Sequence, residues 1–316
     1  MKIVFAGTPE FAVPSLKNII ESGYEVVGVI TQADKPQGRK GILTPPPVKT
    51  LATEYHIPVL QPAKIKDELV RIKALGADIL ITCAYGQILT QEVLDCFKLG
   101  VWNIHAGLLP KYRGASPIQS CILAGETETG VCVMKTELGL DSGDILQIAR
   151  TPISETETYG ELSKRLSHLG AKLIIDTLKA LQSGVYTLTP QSSCGVQVVR
   201  KIGKENAKID FSKSAKEIVN LVRAMNPAPV AYTQINGNTI NVYQAEKAEF
   251  SGMEDEQTKN AVCGEIVCAQ VKKGLIVKCA DGYVRLLELQ TSGGKRMRGA
   301  DFVNGRKVEK GQVFVC

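Results

Sequence analysis

The sequence predicts an α/β protein: a Rossmann-like, mostly parallel sheet followed by a second, smaller β-barrel domain of oligonucleotide-binding (OB-like) type. Three observations predict it. The first half alternates strand-like and helix-like patterns, as a sheet covered on both faces does. The alternation fades near Gln191 into Ser, Gly, Lys and Arg. Beyond it, short alternating runs flank the turn pairs Asn236-Gly237 and Asp281-Gly282, a hairpin signal. A chain of 316 residues also exceeds what one core usually organises.

In order, apolar runs predict strands over Lys2–Ala6, Glu25–Thr31, Asp78–Ala84, Gly100–His105 and Gly130–Lys135. Between them, Ile65, Leu69, Ile72 and Leu75 recur at helical spacing and Gly76 ends the run. A longer helix opens with the capping box Thr158 to Glu161, continues through Leu162, Leu166, Leu169 and Leu173, and stops by Gly184. Residues 1–189 then form the first domain, 190–206 a linker and 207–316 the second domain. That second domain opens with a short helix capped by Ser214 and Glu217, striped by Ile218, Val222 and Met225, and ended by Asn226-Pro227.

Composition excludes several classes. The opening Met1-Lys2-Ile3-Val4-Phe5-Ala6-Gly7 does not read as a signal peptide, and no apolar run approaches the ~18 residues of a membrane span. A cytoplasmic, membrane-free chain is expected, acting as a monomer. Nine cysteines, an odd number without any Cys-x-x-Cys, read as reduced, small buried hydrophobes, so neither a metal nor a disulfide framework is expected. The net charge of +6 is uneven. Residues 200–316 carry 19 Lys and Arg against 13 Asp and Glu, and residues 1–199 carry 19 against 19. A basic second domain suits a polyanion, and it also suits a merely solvated surface.

Open α/β sheets bind ligands beyond the carboxyl ends of their strands. The first crossing, Gly7-Thr8-Pro9-Glu10-Phe11, is neither a dinucleotide fingerprint nor a Walker sequence. Asn103 and His105 lie two apart on one strand, so they project to the same side near that edge. Gly139-Leu140-Asp141-Ser142-Gly143-Asp144 follows the next strand and is placed at the same edge. Each cluster alone is equally compatible with polar residues in a turn. Together, Asn, His and Asp with no Ser or Cys nucleophile suit direct attack of an amine on a carbonyl carbon. The oxyanion would be met by the Asn103 amide and protonated His105. Asp141 would hold His105 in that form and help water remove the proton of the amine.

These residues carry a resemblance. Asn103-Ile104-His105, Leu108-Leu109-Pro110-Lys111-Tyr112-Arg113-Gly114 and Leu140-Asp141-Ser142-Gly143-Asp144 resemble the formyltetrahydrofolate-dependent transferases. The likeness spans the chain. Ile3-Val4-Phe5-Ala6-Gly7-Thr8-Pro9, Ala84-Tyr85-Gly86-Gln87-Ile88-Leu89, Arg223-Ala224-Met225-Asn226-Pro227 and Ala300-Asp301-Phe302-Val303-Asn304-Gly305 are similar to the tRNA-directed members. The resemblance implies 10-formyltetrahydrofolate as co-substrate and initiator methionyl-tRNA as acceptor. It implies Asn103, His105 and Asp141 as the catalytic trio. Tyr85, Gly86, Gln87, Ile88 and Leu89, with Gly107, Leu108, Leu109, Pro110, Gly139 and Leu140, are the implied folate contacts. The family commonly has Ser where this chain has Gly107, so a hydroxyl contact there is absent or replaced.

The loop Asp34 to Lys49, with Arg39 and Lys40, is similar to the insertion that reaches the tRNA acceptor end; a plain surface loop is the alternative. Lys295, Arg296 and Arg298 are the expected tRNA contacts of the second domain, with Arg306, Lys307 and Lys310 close behind. Amino-sugar formyl transfer is the main competing activity, and the basic loop and domain favour tRNA over it. Ribonucleotide formyltransferases of one domain leave the last ~110 residues unexplained. A folate hydrolase and a non-catalytic RNA-binding protein complete the alternatives; the intact trio argues against the last.

Overall fold

The computed structural model describes residues 1–38, 40–249, 258, 260–306 and 308–315, with the side chain of residue 306 outside that set. The chain divides into two compact units. The first comprises Met1–Pro117, Glu128–Pro152 and Ser163–Arg200, and the second Ile118–Thr127, Ile153–Leu162 and Lys201–Cys316.

The elements run β1 (Lys2–Gly7), α1 (Val13–Glu21), β2 (Glu25–Ile30), β3 (Lys35–Gln37), β4 (Ile42–Thr44), α2 (Pro47–Glu54), β5 (Val59–Leu60), α3 (Leu69–Ala74), β6 (Ile79–Cys83), α4 (Gln91–Leu94), β7 (Val101–His105) and β8 (Arg113–Gly114). Then come α5 (Pro117–Leu123), β9 (Glu128–Lys135), β10 (Ile145–Pro152), α6 (Tyr159–Ser183) and β11 (Val198–Val199). The main sheet has the order β10-β9-β7-β6-β1-β2-β5. Its five strands from β5 to β7 are parallel. The expected parallel sheet ends there: β9 is antiparallel to β7, and β10 to β9. An apolar run buried on both faces reads the same in either direction, so its pattern carries no orientation.

Caps form as expected. Thr158 N–H donates to Glu161 Oε2 at 2.9 Å and Glu161 N–H to Thr158 Oγ1 at 3.4 Å, opening α6. Gly184, at φ +70°, follows its end. The helix expected over Ile65 to Leu75 starts as a 3-10 turn, Ile65–Glu68, before α3. The stretch expected as a linker is partly built into the first unit: β11 pairs parallel with β8 and Gln191 is hydrogen-bonded inside it. Its Ser, Gly and Lys content described polarity, and polar side chains serve contacts as well as solvent.

The second unit holds α7 (Ala215–Ala224), β12 (Ala231–Ile235), β13 (Asn238–Ala248), β14 (Ile266–Gln270), β15 (Gly274–Cys279), β16 (Gly282–Thr291), β17 (Met297–Arg298) and a closing helix, Gly299–Arg306. The sheet order is β12-β13-β16-β15-β14, with β17 beside β16. Asn236 and Gly237, both at positive φ, turn β12 into β13; the second hairpin turns at Ala280-Asp281, one residue earlier than expected, with Gly282 already paired to Cys279. Ser214 and Glu217 cap α7 reciprocally at 3.2 and 2.9 Å. Ile218, Val222 and Met225 are buried among Phe211, Val242, Leu286 and Phe314. Two early segments belong here because α7 and the residues after it bind them. Gln119 Nε2 donates to Ala224 O, Arg223 Nη1 to Ser154 O and Gly160 N–H to Asn226 O, at 2.9 to 3.3 Å.

Eight described cysteines are free. Cys83, Cys121, Cys132, Cys268 and Cys279 are buried as expected, whereas Cys96 is half-buried and Cys194 and Cys263 are exposed. Burial pushes the Cys83 thiol up to about 12 and that of Cys132 to about 11. No described helix is long and apolar enough to cross a membrane.

Candidate active site

Asn103 and His105 share one face of β7, and His105 is buried. Thr82, the one polar side chain inside the buried strand β6, donates to Asn103 Oδ1 at 2.9 Å. A hydroxyl can accept as well as donate, so the other end of the amide sets its orientation: the Asp141 carboxylate only accepts, and it faces the NH2. Asn103 Nδ2 then lies 3.4 Å from Asp141 Oδ1, and His105 Nδ1 lies 3.5 Å from Asp141 Oδ2. One carboxylate therefore faces both other members of the trio.

Asp141 does not arrive by the expected route. Because β9 is antiparallel, its end at Lys135 pairs with Trp102, at the amino end of β7. The 136–144 loop starts at the opposite edge and folds back over the face carrying Asn103 and His105. Asp141 takes φ +46°, the left-handed region that Asp tolerates better than most residues. Gly143 packs so closely that a Cβ there would run into the Lys135 carbonyl oxygen. Gly114 N–H donates to Asp141 Oδ2 at 2.7 Å. Gln191 Nε2 donates to the carbonyls of Asp141 and Gly143 at 2.9 and 2.7 Å, and Gln191 Oε1 accepts from the Arg113 guanidinium at 2.7 and 3.1 Å.

Burial pushes the His105 imidazole below the ordinary value of 6.5, against the opposing pull of Asp141 and of the Tyr112 carbonyl. The ring is therefore neutral at rest near pH 7. Both its nitrogens nonetheless face acceptors, Asp141 Oδ2 at 3.5 Å and Tyr112 O at 3.1 Å. Either neutral tautomer leaves one nitrogen lone pair against an oxygen, and only the imidazolium donates to both. The site is poised for a proton that it does not hold at rest.

The residues expected at folate are arranged unevenly. The Tyr85 ring is in the core, its hydroxyl raised to about 12 by burial, and its carbonyl accepts from Thr8 Oγ1 and Gln32 Nε2. Gly86 has φ +86°. Gln87 is turned inward, accepting from Ile65 N–H at 2.8 Å and donating to Pro62 O at 3.1 Å. Ile88 is 86% exposed beside buried Leu89, and Leu140 is 56% exposed beyond Gly139. Leu108 and Pro110 are half-buried, and Leu109 packs with Cys132, Met134 and Ile145. A Cβ on Gly107 would lie 3.1 Å from His105 Nε2 and 3.2 Å from Pro117 Cβ. The serine common at that position would thus press on the His105 ring.

The 34–49 loop is a hairpin of β3 and β4 with Gly38 and Gly41 at positive φ. Arg39 lies outside the described residues; Lys40 is exposed at the tip. Lys49 Nζ bonds both oxygens of Asp34 at 2.9 Å and Gln61 Oε1 at 2.8 Å, which ties the root of the hairpin. In the second unit, Arg296 stacks 3.4 Å over the Tyr243 ring and pairs with Glu288, while Arg298 pairs with Asp301 at 3.0 Å. Lys295 is exposed beside them. Lys307 and the side chain of Arg306 lie outside the described set.

Thr82, Arg113, Gly114 and Gln191 were not anticipated. A lone Thr in an apolar strand was a signal for the first. Nothing in the local pattern pointed to Gln191.

A formyl transferase domain profile matches residues 1–178, and the formyl transferase C-terminal domain profile matches 201–307. The methionyl-tRNA formyltransferase of Ruminiclostridium cellulolyticum is 44% identical over 99% of both chains. The chain belongs to the methionyl-tRNA formyltransferase family. The family member from Bacillus subtilis is 42% identical over 99% of this chain and 97% of its own. Two solved structures share the fold. An N-formyltransferase from Helicobacter canadensis, in complex with folinic acid and dTDP-3-aminofucose, matches at TM-score 0.66 and 22% identity, over 92% of this chain and all of its own. HypX from Aquifex aeolicus with tetrahydrofolic acid matches at TM-score 0.64 and 17% identity, over all of this chain and 51% of its own.

Proposed function

We propose that this formyltransferase moves the formyl group of 10-formyltetrahydrofolate onto the α-amine of initiator methionyl-tRNA, with Asn103, His105 and Asp141 as its catalytic residues. The observation that carries this reading is the convergence of one carboxylate on both partners, at 3.4 and 3.5 Å. The folate supplies an activated formyl carbon for the amine to attack. Asn103, its amide oriented between Thr82 and the Asp141 carboxylate, offers an N–H to the charge that builds on the formyl oxygen. His105 joins it by exchanging its contact with the neutral Tyr112 carbonyl for one with a developing anion, a stronger partner. Asp141 orients the water that carries the proton of the attacking amine to His105 and stabilises the imidazolium that results; collapse of the tetrahedral intermediate breaks the formyl C–N10 bond, and N10 takes that proton as tetrahydrofolate leaves.

Exposed Ile88 and Leu140 support a flat pterin ring between the 84–89 and 139–141 segments, since both offer apolar surface. Tyr85, Gly86, Gln87 and Leu89 serve that site through backbone and by shaping the loop, as do Gly107, Leu108, Leu109, Pro110 and Gly139. Residues 1–189 hold the chemistry. Residues 207–316, an OB-like barrel in this reading, hold the tRNA through Lys295, Arg296 and Arg298. The barrel reading is supported by residues 312–315, whose backbone bonds both Gln234 and the 264–266 segment. Arg39 and Lys40 reach the acceptor end, supported by a hairpin whose Ile42 and Leu43 are 63% and 64% exposed and whose root is pinned. A cytoplasmic monomer suits an RNA acceptor.

Labelled 10-formyltetrahydrofolate offered with methionyl-tRNA or with a nucleotide-linked amino sugar tests the reading. Label on the tRNA is expected. Label on the sugar alone would replace the acceptor, and label on neither would remove the activity.

A further inference from the structure

We propose that Gln191 is a positioning residue for formyl transfer, acting through Asp141; this rests on the trio reading above. Its amide is saturated in a way only glutamine satisfies. Both Nε2 hydrogens go to carbonyls on either side of the Asp141–Gly143 turn, at 2.9 and 2.7 Å, while Oε1 receives two donors of the Arg113 guanidinium. Reversing the amide would set oxygen against two carbonyls and NH2 against a cation, so its orientation is determined. Arg113 is followed by Gly114, whose N–H holds Asp141 Oδ2 at 2.7 Å. The pairing of β11 with β8 brings the 190s chain alongside 113–114. Gln191 thus binds the backbone of Asp141 while the residue after its own partner binds the carboxylate.

The turn needs such a clamp. Asp141 has left-handed backbone and its loop crosses from the far sheet edge. Nothing local to 139–144 aims the carboxylate at β7. Without Gln191 the two carbonyls lose their donor, Arg113 loses its acceptor, and the carboxylate keeps only its Gly114 anchor against drift from Asn103 and His105.

Gln191→Glu keeps the shape and the Arg113 partner but removes both N–H donors; Gln191→Met removes donors and acceptor together. In single-turnover formyl transfer each is expected to slow the reaction about 10- to 100-fold, the scale of a misplaced catalytic group. In an Asp141→Ala background the same changes should cost less than about threefold, because the residue they position is gone. Imidazole NMR should show the His105 midpoint moving to lower pH in Gln191→Met, since a nearby Asp141 raises it. Equal losses in both backgrounds, an unmoved His105 midpoint in Gln191→Met, or less than about a twofold loss in the otherwise native chain would overturn the proposal. If Asp141→Ala itself turned over normally, the trio reading would fall and Gln191 with it. A slow Asp141→Ala beside normal Gln191 variants would sink this inference alone.

Discussion

In the first unit the face carrying Asn103 and His105 is held by polar contacts between residues far apart in the chain: Thr82 to Asn103, Gly114 to Asp141, Gln191 to Asp141. In the second unit the sheet is held by a continuous apolar cluster, by hairpins closed by two-residue turns, and by a capped helix. Phe211 and Phe314, both fully buried, stack there with centroids 5.7 Å apart. A single hydrogen bond contributes only ~1 kcal/mol net, whereas a buried aromatic ring contributes several. The contrast separates two roles. Polar bonds on the Asn103–His105 face determine where atoms lie, and apolar packing in the second unit determines whether the unit stays folded.

The largest test attacks the packed side. Phe211→Ala should cost about 3–5 kcal/mol of stability, read from urea unfolding. A loss below about 1 kcal/mol would mean that the cluster is not what holds this unit. Next is the catalytic side. Asn103→Ala should lower kcat about 100- to 1000-fold with a nearly unchanged urea midpoint. A variant that is active but unstable would invert the comparison. Smaller is the cap: Ser214→Ala should cost about 1 kcal/mol and leave transfer by the folded enzyme unaltered. A kcat loss there would show that the second unit takes part in the chemistry.

The smallest effect sharpens the comparison by joining its two sides. His105 is the place where this face also costs stability in acid, because burial holds its folded pKa below 6.5. Below that value the unfolded chain binds the proton more readily than the folded one. The stability contributed by the neutral ring is therefore complete above about pH 6.5 and declines as pH falls toward the folded pKa. Between about pH 7.5 and 5.5 the urea midpoint of the native chain should drop further than that of His105→Ala. Equal drops would place the acid sensitivity elsewhere.

By itself the sequence determined what depends on neighbours along the chain. The caps at Thr158 and Ser214, the turn at Asn236-Gly237, the five expected first-unit strands and the pairing of Asn103 with His105 all stand, whereas the second hairpin turns one residue early, at Ala280-Asp281. Each is set by a period of two or 3.6 residues, or by one side chain meeting the backbone within three residues. Tertiary structure alone decided the direction of β9, since a buried apolar strand is the same string read up or down the sheet. It decided that Asp141 returns across the face from the opposite edge, and that His105 is neutral at rest because burial outweighs its carboxylate. It also turned part of an apparent linker into a clamp. Gln191 lies 50 residues from Asp141 in the chain, and a side-chain amide gives no local sign of which carbonyls it will meet.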